Sequence, residues 1–434
     1  MSPSDQSDPH QIHLNLNVRG LKPSATLAIN EKSKKLQEEG REIFRLGLGQ
    51  SPFPVPDLLI EELKKNAHQK DYLAVKGLAA LREVIAAHYQ RREGVSYCLE
   101  DVLIGPGSKE LMFLIQLVYY GDLVIPTPSW VSYAPQAAII GRNVHWIAAR
   151  EEDGWRLSAQ VLEEHCRPDP TRPRIVILNY PNNPTGTSYR DEELQELAQV
   201  ARRYKVILLS DEIYGETRFD GQHVSIAKHY PEGTIISGGL SKWAGAGGWR
   251  LGCFVFPKQL HWLRDAIAVA ASETFTSTSA PIQYAAIKAY ESSNGLQQYI
   301  DDTRRVLKRV GLYMHAQLSQ AGLKAAAPDG GFYLLPSFEN HRQMLNERGI
   351  TTSSQLASRL LDETGVAVLP GSDFGLPEEL LCVRIAYVDF DGTKALETAA
   401  RTGAHTPLPD DFMEQNAPRI VEAVKRLTKW LDKA

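Results

Sequence analysis

Between Ser237 and Gly252 the chain reads SGGLSKWAGAGGWRLG, a glycine-rich stretch that carries Lys242 and Arg250 eight residues apart. A lysine set among small residues can be held partly out of water, which lowers its pKa and makes it a nucleophilic amine. An arginine a short loop away offers a two-pronged donor for phosphate or carboxylate. Alone, such a lysine is usually a solvated loop residue. Three other stretches change the reading: Gly105-Pro106-Gly107-Ser108-Lys109 after the apolar run DVLI, Pro181-Asn182-Asn183-Pro184-Thr185-Gly186 after RIVILNY, and Asp211-Glu212-Ile213-Tyr214 ending KVILLSD. A glycine turn feeding a helix start presents free N–H groups and a helix dipole to an anion. A carboxylate at the end of a buried strand suits a buried cationic heterocycle, because an ion pair strengthens as water is removed. Singly, each is also what an ordinary cap or turn looks like. In order, they supply a phosphate cradle, an Asn, an Asp, a Tyr, a Lys and an Arg.

The elements that must position these residues are short apolar runs: DVLI, DLVIP, RIVILNY, KVILLSD, TIIS and CFVF. Most are separated by helical patterns such as SKELMFLIQLVYY and RDEELQELAQVARRYK. Runs apolar on both faces, alternating with helices, predict an α/β fold: a mostly parallel mixed central sheet with helices on both faces. In such sheets ligands bind beyond the carboxyl ends of the strands, where the polar residues above fall. Upstream, SATLAINEKSKKLQEEG predicts a helix stopped by Gly40, and LGLGQSPFPVP a loop. GLAALREVIAAHYQRREG predicts an amphipathic helix ending at Gly94. After about Ser292 a long charged helix is followed by strand patterns, GGFYLLPSF and LCVRIAYV, and by the helical APRIVEAVKRLTKWLDK, which predicts a smaller α+β lobe. Turn residues between Asp389 and Asp411 predict a surface excursion of that lobe.

At 434 residues two lobes are the default expectation. A net charge of −4 with 23% charged residues offers no basic face for nucleic acid and no polybasic membrane signal. The four cysteines are scattered without a CxxC pair, so neither a disulfide framework nor a metal site is expected. The polar opening MSPSDQSDPHQIH lacks the apolar core of a signal peptide, and the apolar run LMFLIQLVYY is too short to span a bilayer. A cytoplasmic location is expected.

The order of the polar stretches resembles the fold-type I pyridoxal-phosphate enzymes, specifically the aspartate aminotransferase-like class I/II aminotransferases, over roughly residues 21 to 390. GLSKWAGAGGWRLG resembles the lysine motif of that family, with NNPTG and SDEIY upstream in the same order. The resemblance implies a flexible tail over 1–20, an N-terminal arm and part of the small domain over 21–50, a large cofactor-binding domain over 51–300 and a small domain over 301–434. It implies pyridoxal 5'-phosphate as cofactor and a ping-pong transfer of an amino group from an L-amino acid to a 2-oxo acid. Lys242 would form the internal aldimine and then move the proton, Asp211 would pair with the pyridine nitrogen, and Asn183 and Tyr214 would hold the phenolic oxygen. Trp130 in PTPSWVSY would stack on the ring. Gly107, Ser108 and Lys109 would bind the phosphate by their backbone, with Arg250 opposite.

Where the family often has a serine three residues before the lysine, this chain has Gly239, so Ser237 or Ser241 must supply any hydroxyl. Tyr72 in KDYLAVKG would reach the phosphate of a neighbouring subunit, which implies a homodimer with shared active sites. The Asn183–Pro184 bond is the expected cis bond. Arg384, within LCVRIAYV, would bind the substrate α-carboxylate together with backbone at Gly49. The LGLGQSPFP loop departs from the GEPDFDTP form of related enzymes, which leaves specificity open. Lys109 could reach a distal carboxylate, as a lysine there does in some aspartate-using relatives, or Phe332 and Tyr333 could line an aromatic pocket. A lyase or an aminocyclopropane-carboxylate synthase-like enzyme shares the first chemical steps. A cofactor-sensing regulator would need a DNA-binding domain before the match, and the short non-basic segment there argues against one.

Overall fold

The structure is a computed structural model that describes residues 14–432 except Lys22, Ser292 and His405. Residues 1–13 of the expected tail therefore lie outside the described residues. Residues 15–21 form turns closed by the Val18 and Leu21 N–H groups.

A seven-stranded sheet forms the centre. Its spatial order is Val102–Gly105, Gly252–Val255, Thr234–Gly239, Ile207–Asp211, Arg174–Asn179, Asp122–Thr127 and Val144–Ala148. Gly252–Val255 runs antiparallel to both of its neighbours, and all other pairs are parallel. The strands Arg174–Asn179, Ile207–Asp211 and Thr234–Gly239 are buried along their whole length, as expected for runs rich in Ile, Leu and Val covered on both faces. On one face Val102, Ile104 and Ile236 pack with Leu81, Ile85 and Ala286, while Val176, Leu178 and Leu208 pack with Leu194 and Leu197. On the other face Leu103, Ile125 and Leu209 pack with Leu111, Ile115 and Ile267. Helices thus cover both faces. Successive side chains alternate between the faces, which is the period-two rule of a strand.

A second core gathers around Phe44, Val306, Val310, Leu334, Val383 and Trp430. Its small sheet orders Leu369–Pro370, Val383–Ala386 and Tyr333–Leu334 antiparallel, and Phe44–Arg45 pairs in parallel with Val366–Ala367. The 27-residue helix Asn294–Gln320 buries Val306, Val310 and Met314 in this core.

Helix ends fall where glycine was read as a stop: Ala25–Glu38 precedes Gly40, and Ala79–Glu93 is capped by Gly94 at φ 69°. Two elements differ from the expectation. Val144–Ala148 adds an edge strand that the sequence reading did not include. The Asp389–Asp411 segment is not merely a surface excursion, because Gly392–Thr402 is a helix that buries Ala395 and Ala399. Asp391 caps its start by accepting from the N–H groups of Thr393 and Lys394, and Arg305 of the long helix donates to the Ala399 carbonyl at 3.1 Å. No helix among the described residues is long and apolar enough to cross a membrane.

Candidate active site

A cavity of about 390 Å³ opens beyond the carboxyl ends of the central strands. Its floor follows from strand register: Asn179 and Asp211 stand side by side on adjacent parallel strands, and Ser237 pairs with Asp211 on the next strand without reaching the cavity. Asp211 is buried, and burial pushes its carboxyl pKa up to about 6. Its Oδ2 accepts the Tyr133 hydroxyl at 2.5 Å, while Oδ1 has only longer contacts, from Ser237 Oγ at 3.5 Å and the Ile213 N–H at 3.4 Å. No ion pair to Asp211 is formed among the described residues.

Asn183 is aimed from the turn above. Asn179 Nδ2 donates to the Asp211 carbonyl at 2.9 Å, and Asn179 Oδ1 accepts the Asn183 N–H at 2.8 Å. The expected cis bond is elsewhere: Tyr180–Pro181 and Thr127–Pro128 are cis, and Asn183–Pro184 is not among the cis bonds. The turn is held by side-chain bonds, with Asn182 Oδ1 accepting the Thr185 N–H and hydroxyl.

Lys242 enters from the glycine-rich loop. Its Nζ donates to the Gly49 carbonyl at 2.7 Å and lies 5.6 Å from the Tyr214 ring and 5.7 Å from that of Phe332. Burial, with the Arg384 charge as the next cause, brings its pKa down to about 8, while the Asp211 carboxylate opposes the shift. Arg384 is fully buried, with Nη1 donating to Asn183 Oδ1 at 3.3 Å and Nη2 to the Gly47 carbonyl. Its Nε has no hydrogen-bond partner. The Tyr333 ring lies 4.9 Å from the guanidinium carbon, and the Tyr333 hydroxyl meets the Tyr214 hydroxyl at 2.7 Å. Gly49 sits directly on this tyrosine, since a Cβ there would overlap the Tyr333 hydroxyl.

The opposite end is cationic. Gly107, at φ +88°, leads into helix Ser108–Val118, and among the described residues the N–H groups of Ser108 and Lys109 find no acceptor. Arg250 packs against Gly107 so closely that a side chain there would overlap its guanidinium. It donates to the Gly247 carbonyl at 2.9 Å and the Pro106 carbonyl at 3.4 Å. Gly105, Gly252 and Gly239 face one another across three strands, which lets the helix start lie against the sheet. A Cβ on Gly239 would lie 2.7 Å from the Leu251 carbonyl, so this position has no room for serine. Of the two serines left open, Ser241 lines the cavity, whereas Ser237 lies beneath Asp211 and does not. Trp130 also lines the cavity, with Lys109 Nζ 5.5 Å from its ring, and burial together with Arg250 lowers the Lys109 pKa.

Most residues expected to share a site do so: Gly49, Ser108, Lys109, Trp130, Asn183, Asp211, Tyr214, Ser241, Lys242, Arg250 and Arg384 all line this cavity. Tyr72 does not, and is 88% exposed. Sequence reasoning missed Asn179, the last residue of its strand, and Tyr133, one helical turn beyond Trp130. It also missed Thr26 and Leu27, which bring the N-terminal helix to the cavity.

The family described as aminotransferase class I and II matches residues 41–402. The chain belongs to that family, and it is an aminotransferase by class. It is 34% identical to the aspartate aminotransferase of Geobacillus stearothermophilus over 392 residues, covering 88% of this chain and 95% of the relative. It is 30% identical to the aspartate/prephenate aminotransferase of Thermus thermophilus, covering 89% and 98%. The solved structure of the Thermus thermophilus aspartate aminotransferase with maleate superposes with a TM-score of 0.79 at 30% identity, covering 90% of this chain and 99% of that one.

Proposed function

We propose that this aminotransferase uses pyridoxal 5'-phosphate to move an amino group from an L-amino acid to a 2-oxo acid in a ping-pong cycle, with aspartate as the first donor to consider. The observation that carries the reading is the meeting of Lys242, Asp211, Asn183 and Arg384 in one cavity. The groups left without partners suit this cofactor. Among the described residues Asp211 forms no ion pair and the Ser108 and Lys109 N–H groups find no acceptor, and Lys242 is an amine of lowered pKa in the same cavity. The cofactor supplies, when bound, an aldehyde that condenses with amines and a pyridinium ring that accepts the electrons of a Cα–H bond.

Asp211 holds a proton on the ring nitrogen by ion pairing in a site shielded from water. Asn183 and Tyr214 would hold the cofactor ring through polar contacts, and Trp130, which lines the same cavity, would help to position it. The Ser108–Val118 helix start, Gly107 and Ser241 hold the phosphate, with Arg250 as a charge-assisted donor. Lys242 anchors the aldehyde end. As a neutral amine in the same cavity, its Nζ would be the group available to accept and return the proton of the substrate Cα. Arg384 binds the α-carboxylate, with its unpartnered Nε as an available donor, and the backbone at Gly49 supports the same group. Helix Ala25–Glu38, through Thr26 and Leu27, restricts access of water from above. Lys109 Nζ suits a distal carboxylate, consistent with relatives named for aspartate. Residues 51–300 form the cofactor-binding lobe, and 301–434 with 21–50 the smaller one. The active unit is a homodimer in which the exposed Tyr72 of each subunit reaches the phosphate of the other.

Adding single amino donors to the loaded protein should release one equivalent of 2-oxo acid per site with loss of the cofactor's visible absorbance, and a second 2-oxo acid should restore it. Release of ammonia, or an oxo acid with the absorbance unchanged, would indicate a lyase instead.

A further inference from the structure

Asp211 receives one short hydrogen bond, and it comes from outside the strand layer. Tyr133 opens helix Tyr133–Ile139, is 1% exposed, and sets its hydroxyl 2.5 Å from Asp211 Oδ2. The Trp130 ring stands edge-on to it at 5.2 Å and leaves the phenol little freedom to swing away. Burial beside a carboxylate pushes the Tyr133 pKa well above its ordinary value, so the phenol keeps its proton and acts as the donor.

We propose that Tyr133 is a positioning residue: its hydroxyl engages Asp211 Oδ2, keeps the carboxyl ionised and leaves Oδ1 for the cofactor nitrogen. The proposal rests on the cofactor assignment above. The groups facing Asp211 are few. Ser237 on the adjoining strand gives a 3.5 Å contact, and Asn179 on the other adjoining strand binds only the Asp211 backbone carbonyl. The neighbouring Glu212 carboxylate pushes the Asp211 pKa up, although Arg92 and His223 are paired with Glu212. Burial raises the Tyr214 phenol pKa well above its ordinary value, and the Asp211 charge raises the pKa of the Lys242 amine. Burial therefore favours the protonated acid at this position, and the Tyr133 hydrogen bond is the largest influence opposing it. Losing that donor would leave a carboxyl that stays protonated to higher pH and cannot form the ion pair.

The test uses the full chain stripped of cofactor and pyridoxamine 5'-phosphate as probe, since this amine cannot condense with Lys242. Binding is measured calorimetrically from pH 5 to 8.5. In the wild type, affinity should fall on the acid side as Asp211 takes up a proton. In Tyr133→Phe, which keeps the ring and its packing on Trp130, that acid limb should move up by roughly one pH unit. Affinity above pH 8 should stay within a few-fold of the wild type. In an Asp211→Asn background the acid limb should vanish, and adding Tyr133→Phe should change binding less than twofold. An unmoved acid limb in Tyr133→Phe, or an equal loss of affinity at every pH, would overturn the proposal. So would a full effect of Tyr133→Phe in the Asp211→Asn background. A wild-type chain that binds neither this probe nor pyridoxal phosphate would overturn the functional reading, and the proposal with it.

Discussion

The inner wall of the cavity and its rim are built differently. On the wall, Asp211, Tyr214, Asn183 and Arg384 are buried, and each is held by neighbours from a different element of the same chain. At the rim, Arg250 is exposed and bonded only to two loop carbonyls, Gly248 is exposed, and Tyr72 stands 88% exposed outside the cavity. The wall is held by many contacts within the chain, whereas the rim is open to solvent. On the proposed reading, chemistry that needs a lowered dielectric falls on the wall, and phosphate anchoring falls where water still reaches.

Breaking the wall should have the largest effects. On the proposed reading, Lys242→Ala removes both the anchoring amine and the proton carrier, so turnover should fall on the order of 10⁴-fold while circular dichroism stays unchanged. Arg384→Leu should lower kcat/KM on the order of 10²-fold for every donor and acceptor, equivalent to about 3 kcal/mol, because all share the α-carboxylate. A loss confined to one substrate would show that Arg384 reads a side chain.

Rim changes should be milder. Arg250→Ala should weaken cofactor binding about thirtyfold, the loss expected for a charge-assisted hydrogen bond, with little change in kcat at saturating cofactor. A pH test returns to the wall at intermediate size. Lys242 titrates at about 8, below an ordinary lysine, and only its neutral form attacks an aldehyde. The rate of pyridoxal phosphate uptake by the stripped chain should rise about tenfold from pH 7 to its plateau above about pH 9. A rate still rising steeply above pH 9 would place the lysine in a more polar setting, and a flat profile from pH 7 in a less polar one. Smallest of all, Tyr72→Phe should weaken cofactor binding only a few-fold. Its effect should be confined to subunit concentrations at which the chain is dimeric, measured by repeating the titration across the dissociation range.

The wall and rim also differ in how well the sequence displayed them. Lys242 and Arg250 could be read together because a local glycine-rich loop sets their separation, and Asp211 because it ends a run of buried residues. Tyr133 was not legible as an Asp211 partner: the two are 78 positions apart, and only the packing of a helix against the sheet brings them together. Ser237 was ambiguous because a strand residue and a loop residue of the same type look alike until register is known. Gly392–Thr402 was obscured by its Gly-Thr opening, and its buried face is made of alanines, which give little periodic contrast. The edge strand Val144–Ala148 is exposed at three of its five positions, so it lacks the apolar continuity that marked its neighbours.

Gly49 and Tyr333 have a consequence for how this site could be retuned. The phenolic oxygen fills the space a side chain at Gly49 would need, and the same tyrosine braces Tyr214 and faces Arg384. The two positions are therefore not independently variable. Any redesign that enlarges residue 49 must shrink residue 333, and will then remove the hydroxyl that meets Tyr214 and the ring that faces Arg384. A path that begins by enlarging residue 49 alone should be closed, whereas one that first or simultaneously shrinks residue 333 is sterically open.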